Sequence, residues 1–474
     1  MSLTLEELRN RHGDRYKWLV LLTVMIGSMA SIMSSTIVNV AIPELSRHFT
    51  LGQERAQWVS AAFMLAMTLS MLTTPWLLLR YGLRGTYTGA ILLLLIGGVA
   101  GGFSVNYPML LSMRALEGLA AGILQPIPAI VILRAFDTRE QGRAMGIFGF
   151  GVVLAPAVGP GIGGFLVEYF GWRSIFFVVV PFCLMVLLLI RRYLAQNSFL
   201  GEQVSPLDWK GLLLAGLASI SILNGLVHLH DDLVLAGVLL GVGFASLIAF
   251  IAYQLQAEEP LMNMKLFSYP QFAMGALVAF IYGMGIFAST YLLPVYMQMG
   301  LHYLPSQAGL ILLPGGIALA VTIWTAGKLA DRYPPHVLIS IGLGLLALSC
   351  ALMALGTPGT SYFTLMAWTV IGRIGLGLVL PSLSLGSMRG VDVELIAQGV
   401  SAINFLRQLG GAIGVSLVGI VLEWRLAEHA PGSTAAAPAI QGSLAAFDET
   451  FLFIATTCAI AVLAAWRMRE KRTI

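Results

Sequence analysis

Apolar residues run along this chain in long blocks separated by short polar segments, rather than in the one-faced spacing of a soluble amphipathic helix. A hydrocarbon core about 30 Å thick is crossed by about 20 helical residues at about 1.5 Å each. Fourteen blocks meet that length: 17–42, 55–79, 85–105, 107–133, 141–168, 173–194, 208–229, 233–256, 271–300, 305–328, 336–356, 362–388, 398–424 and 448–467. An even number returns the chain to the side from which it started. Within the fifth, Ala155-Pro156-Ala157-Val158-Gly159-Pro160-Gly161-Ile162-Gly163-Gly164 carries two prolines and four glycines. Lipid offers the backbone no competing water, so a spanning helix tolerates them, and small residues let two backbones approach closely. A bent, tightly packed spanning helix is expected there.

Composition supports lipid as the main solvent. Hydrophobic residues make up 58% of the 474 and charged residues only 11%, against about 25% charged in soluble domains. Too few polar side chains are present to coat several soluble domains. The three cysteines, Cys183, Cys350 and Cys458, each fall inside an apolar block, so neither a disulfide framework nor a metal spacing is available. The first block is too long for a signal-peptide core and has no small-residue cleavage site after it, so it is expected to remain attached.

A net charge of +4 would suit nucleic acid, but the placement of the positive charges argues for topology instead. Of 27 Lys and Arg, 20 lie in the N-terminal tail and alternate connections on its side, 4 on the other side, and 3 within blocks (Arg114, Arg373, Arg407). The excess of Lys and Arg on the cytoplasmic face puts both termini in the cytoplasm of a multi-pass inner (plasma) membrane protein.

The chain repeats itself. Arg114-Ala115-Leu116-Glu117-Gly118 with Pro126 is echoed by Arg373-Ile374-Gly375-Leu376-Gly377 with Pro381, and Leu79-Arg80-Tyr81 by Asp331-Arg332-Tyr333. The offsets, 259 and 252, exceed six helices by about two. The layout is then a six-helix bundle over 1–200, an inserted pair over 201–260 and a second six-helix bundle over 261–474. Two such repeats about an axis along the membrane normal are a transporter plan, with substrate at their interface.

Several runs point further. They are Thr36-Ile37-Val38-Asn39-Val40-Ala41-Ile42-Pro43, Gly159-Pro160-Gly161-Ile162-Gly163-Gly164, Trp172-Arg173-Ser174-Ile175-Phe176-Phe177, Gln307-Ala308-Gly309 and Arg407-Gln408-Leu409-Gly410-Gly411, in that order. With them the chain resembles the major facilitator superfamily, specifically its fourteen-helix drug/proton antiporters, over essentially the whole length. The resemblance implies an all-α integral membrane protein with two six-helix bundles plus two inserted helices. It implies a proton-coupled exporter of lipophilic, including cationic, drugs or toxic metabolites, working by alternating access. Pro156, Gly159, Pro160, Gly163 and Gly164 match the antiporter motif, where the resemblance implies a bend and seal. Arg80, Gly82 and Arg84, with Gly327, Asp331 and Arg332 in the second half, match the cytoplasmic latch. The first latch copy lacks the family's Asp, so the second is expected to hold more firmly. The family's usual acid before the Thr-Ile-Val-Asn run is here Ser34.

Of 23 acidic residues, only Glu117 reads as lying deep within a block. It falls about ten residues into the fourth, roughly 15 Å down, at a depth similar to Ser34. Arg114, three residues earlier, shares its helical face and pairs with it. A lone buried acid favours the neutral form and a neighbouring guanidinium the ionised form, so modest changes in water access would switch its charge. Glu117 with Arg114 is the expected proton-coupling pair. The alternative is a permanently closed pair that only neutralises a buried arginine.

Ser34, Asn39, Gln125, Tyr282, Tyr291, Gln298, Arg373, Asn404 and Arg407 are polar groups in blocks that are expected either to line a substrate cavity or to hydrogen-bond between helices. The histidines lie in loops or near interfaces, and His228 and His230 beside Asp231 and Asp232 form only a weak metal pattern. No phosphate-binding lysine loop, catalytic constellation or cofactor signature is present, so neither an enzyme nor an ATP-driven pump is expected. The stretch 427–441 reads as a flexible external loop. Expected partners are a small lipophilic substrate, protons and the bilayer, with no nucleic acid; the sequence does not say whether a periplasmic accessory protein takes part. A facilitator or symporter on the same scaffold, or a membrane assembly partner that moves nothing, are the competing functions.

Overall fold

A computed structural model describes residues 5–51, 53–195, 206–229, 232–429 and 436–469, and every regular element among them is a helix. In chain order these are α1 (Leu5–His12), α2 (Arg15–His48), α3 (Gln53–Ser70), α4 (Thr74–Gly102), α5 (Tyr107–Leu124), α6 (Ile127–Ala135), α7 (Gln141–Phe170), α8 (Ser174–Phe177), α9 (Val179–Tyr193), α10 (Trp209–Val227), α11 (Leu233–Gln256), α12 (Pro270–Val295), α13 (Pro305–Ala330), α14 (Pro335–Met353), α15 (Tyr362–Gly386), α16 (Ile396–His429) and α17 (Ala436–Arg467). Thirteen helical stretches among the described residues are long and apolar enough to cross a membrane.

The blocks at 55–79 and 85–105 run together as Arg55–Gly102, 48 residues. A straight helix of that length would reach about 70 Å, over twice the hydrocarbon thickness. It is not straight. Met71–Thr73 tightens to a 3₁₀ turn, and Gly82 inside α4 has φ 67 and ψ 175, a conformation that only glycine adopts without strain. Thr86 Oγ1 donates to the Leu77 carbonyl at 2.7 Å. Residues nine apart in a straight helix are separated by about 13 Å, so the chain doubles back at Gly82.

The chain divides into two compact units, one of 1–212, 254–263 and 392–405, the other of 213–253, 264–391 and 406–474. In the first, α3 and α4 pack on α5, and α2 and α4 pack on α9. In the second, α13 and α14 pack on α15, and α12 and α14 pack on α17. Four pairings recur, as the duplicated motifs lead one to expect. The segment 201–260 does not form a body of its own. Its middle, 213–253, groups with the second unit, where Ile222 and Leu226 of α10 pack against Ile420 of α16, and its ends group with the first.

Glycine seams bring helices together inside each unit. A Cβ on Gly151, Gly159 or Gly163 of α7 would lie 2.6, 2.9 and 2.6 Å from Met25 Sδ, Thr36 Oγ1 and Ile37 Cγ1 of α2. These are positions on one face at helical spacing, and they give α7 the close packing expected of it; Gly161 between them faces open space. In the second unit the seam is tighter, because a Cβ on Gly283 of α12 would strike the Arg407 carbonyl, and one on Gly410 of α16 the Phe280 carbonyl.

One expectation is corrected here. Residues 436–441, read from sequence as loop, begin α17, which therefore reaches twelve residues further back than the block at 448–467. The glycine, alanine and proline content that suggests a loop does not prevent helix where the backbone must satisfy itself. Residues 430–435 of that stretch lie outside the described residues.

Candidate functional site

The site in the first unit starts with the cap of α5. Asn106 is extended (φ −144, ψ 161), its Oδ1 accepts from Met109 N at 2.9 Å, and Pro108 occupies the first turn, where its missing N–H costs nothing. That fixes the start of α5 and places Arg114 and Glu117 two and three turns along it, on the face that meets α2 and α3.

Arg114 and Glu117 are both 0% exposed and paired at 2.6 Å between Nη1 and Oε2. Ser34 of α2, itself buried, completes a triad. Its Oγ donates to Glu117 Oε1 at 3.1 Å and lies 3.3 Å from Arg114 Nη1. Arg114 Nε donates to the Val59 carbonyl of α3 at 3.2 Å, and the guanidinium stacks 4.4 Å from the Phe63 ring centre. Arg114 Nη2 is buried without a partner. Thus each carboxylate oxygen has a donor while the cation keeps a spare donor.

Room for the acid comes from glycines that sequence reasoning passed over. A Cβ on Gly97 of α4 would lie 2.6 Å from Glu117 Cγ, and one on Gly98 3.4 Å from Oε1. The Gly97-Gly98 pair in an otherwise bulky aliphatic run is the signal that could have found them.

Removing water from two charges is expensive, and their attraction offsets it only while both remain paired. A buried Glu117 left without Arg114, or the reverse, would cost about 3–5 kcal/mol. Any motion that separates them therefore favours adding a proton to Glu117. That link between geometry and protonation is the chemistry the triad can perform.

The other polar candidates do not join the triad. In the first unit Asn39 is exposed and its Oδ1 accepts from Ser60 Oγ at 2.7 Å, while Gln125 is the half-buried residue ending α5. In the second unit Arg373 Nη1 donates to Thr290 Oγ1 of α12 at 3.3 Å. Tyr282 is buried and its hydroxyl donates to the Leu376 carbonyl at 3.1 Å, an interhelical tie. Asn404, in the first unit by packing, donates to the Val400 carbonyl one turn back at 2.9 Å. Arg407 is partly exposed, and Tyr291 and Gln298 are exposed, the last in a π-helical turn at Tyr296–Gly300.

Among the motif residues, Gly159 and Gly163 face α2 closely, a Cβ on Gly164 would meet Val40 Cγ1 at an ordinary 3.9 Å, and Pro156 is half-buried. The side chain of Pro160 lies outside the described residues. In the latch copies Arg80 is exposed, Arg84 half-buried, Gly82 forms the reversal, Gly327 is buried near the end of α13, Asp331 caps that helix and Arg332 is exposed. No group of three or more metal-binding side chains occurs among the described residues; His230 and Asp231 lie outside them.

Glu117 is not alone in being withdrawn from solvent. Because α17 starts at Ala436, Asp448 lies well inside that helix, with Oδ1 buried and without a partner. The sequence reading placed it at a helix end because its block was begun too late.

Comparison with known proteins agrees with this architecture. The family model described as Major Facilitator Superfamily matches residues 24–415. Lincomycin resistance protein LmrB of Bacillus subtilis (strain 168) is 26% identical over 478 residues, covering 98% of each chain. Multidrug resistance protein B homolog of Mycobacterium tuberculosis (strain CDC 1551 / Oshkosh) is 28% identical over 426 residues, covering 87% of this chain and 78% of that one. Among solved structures, the human organic anion transporter MFSD10 (TETRAN) superposes with a TM-score of 0.66 at 14% identity, over 93% of this chain and 99% of that one, a likeness of fold. The chain belongs to the Major Facilitator Superfamily, a family of membrane transporters.

Proposed function

From that membership and the buried triad, we propose that this protein is a proton-coupled antiporter that exports lipophilic, including cationic, compounds by alternating access. The proposal includes fourteen spans, with the stretch Arg55–Gly102 counted as two crossings about Gly82, and both termini on the cytoplasmic side of the plasma membrane. Relatives named for multidrug and lincomycin resistance support the substrate class.

One observation carries the coupling: a carboxyl group at 0% exposure, held by a single arginine and one serine hydroxyl. When the pair is closed, Glu117 is ionised and the site is neutral. When water reaches it and the helices part, protonation removes the unpaired charge. A proton taken up in one state and released in the other is the coupling an exporter needs.

The test is efflux of a cationic dye from vesicles under an imposed pH gradient, with Glu117→Gln beside the parent protein. Glu117→Gln is expected to lose gradient-driven efflux while still exchanging dye down its own gradient. Undiminished gradient-driven efflux would remove Glu117 from the mechanism. The fully enclosed geometry of the pair favours a second reading, a facilitator in which Arg114 and Glu117 only neutralise each other. Gradient-independent transport in the parent protein would select it.

A further inference from the structure

Twelve residues into α17, and in the turn that follows α12, the second unit holds a pair of buried polar atoms that the triad does not use. One is Asp448 Oδ1 and the other is the hydroxyl of Tyr296; neither has a hydrogen-bond partner. Tyr296 is 0% exposed. Its ring is held edge-on between Phe447 and Phe451, with ring centres 5.4 and 5.2 Å away. Phe447 and Phe451 stand one residue before and three residues after Asp448 on α17, so the Tyr296 ring packs on the turn of the helix that carries this carboxyl group. Tyr296 opens the π-helical turn that follows Pro294, where Leu301 N bonds to the Tyr296 carbonyl at 3.0 Å. Such turns often mark functional positions.

A buried carboxylate oxygen and a buried phenol without partners are each costly. A proton on Asp448 removes the charge and leaves the carboxyl able to donate as well as accept. Asp448 as a whole remains partly exposed, which gives protons a route to a group whose other oxygen is sealed. From these observations we infer that Asp448 and Tyr296 form a second proton-binding site, in the half of the molecule that lacks the Glu117 triad.

The charged surroundings are consistent with one binding event. Glu449, the neighbouring carboxylate, contacts Arg425 Nε at 2.7 Å and His429 Nε2 at 3.1 Å, and Arg425 also pairs with Glu428 at 2.5 Å. Tyr303 follows the π-helical turn, its N–H donating to the Met297 carbonyl at 2.9 Å. The packed neighbour α14 contributes only His336, at its far end, and the thiol of Cys350. Glu449 is thus already paired with Arg425, whereas Asp448 Oδ1 has no partner.

The experiment is pH-difference infrared spectroscopy across neutrality on the purified full-length protein, reading the C=O band of protonated carboxyl groups. With Glu117→Gln as background, one such band is expected to remain, to disappear in Glu117→Gln/Asp448→Asn, and to survive Glu449→Gln. Tyr296→Phe is expected to keep the band but move its frequency and midpoint, which also serves should Asp448→Asn fail to fold. A band untouched by Asp448→Asn, or unmoved by Tyr296→Phe, overturns the assignment. The site stands apart from the coupling role proposed for Glu117, because the dye-efflux result for Glu117→Gln does not enter this measurement.

Discussion

Each unit carries an arginine on the helix that two of its neighbours pack against, α5 in the first and α15 in the second, and surrounds it differently. On α5, Arg114 reaches a hydroxyl of α2 and an acid one turn away; on α15, Arg373 reaches a hydroxyl of α12, and the position of the acid is Leu376. Helix pairings around the two arginines correspond. The two units therefore share a packing order and a cation, and only the first has a carboxyl group beside it. The difference teaches that packing order and charge chemistry are separable: the same helix contacts support a neutral buried pair in one half and a lone, partly exposed cation in the other.

The sharpest way to break the comparison is to remove each arginine. Arg114→Leu leaves Glu117 buried and unpaired, so a loss of about 3–5 kcal/mol is expected, read as the unfolding temperature in detergent. Arg373→Leu removes one hydrogen bond to Thr290 and is expected to cost about 1 kcal/mol. Equal losses would mean the halves are held alike.

Next in size are the glycine seams. Gly410→Ala pushes a methyl group into the Phe280 carbonyl and is expected to cost about 1–3 kcal/mol, the usual penalty of overpacking, with less folded protein recovered. Gly159→Ala meets the movable Thr36 hydroxyl and should cost less, while Gly161→Ala, facing open space, should stay within about 0.5 kcal/mol.

Moving the carboxyl group tests whether its position or its helix matters. Ser34→Asp with Glu117→Gln puts the acid on α2, still beside Arg114. Dye efflux lost in Glu117→Gln is expected to return in part in the double variant. No return would tie coupling to α5 itself.

The smallest change is Ser34→Ala. It removes one donor from Glu117 Oε1 and is expected to cost about 1 kcal/mol and to slow efflux without abolishing it. A full loss of efflux would promote Ser34 from a positioning residue to a proton carrier.

Much of this was legible in the order of residues. The all-helical membrane-crossing plan and the pairing of Arg114 with Glu117 rest on local rules: hydropathy over about 20 residues and a spacing of three on a helix. Asp448 was missed for a local reason too, because charged and small residues at 436–449 read as loop although the backbone there is helical. Gly97 and Gly98 were passed over because their role depends on what packs opposite them.

By itself, then, the sequence determined that this chain lives in lipid, roughly where it crosses, and that Glu117 has an arginine one turn away on its own helix. Lipid makes these outcomes a matter of composition and spacing, since each span must satisfy its own backbone. Only tertiary structure decided that Ser34, 83 residues away, donates to Glu117, that Tyr282 ties to Leu376, and that Tyr296 packs against Phe447 and Phe451 on the turn of α17 that carries Asp448. Those contacts join helices distant along the chain, and their geometry follows from which glycine faces allow close approach, a property of pairs of surfaces that no single stretch of residues contains.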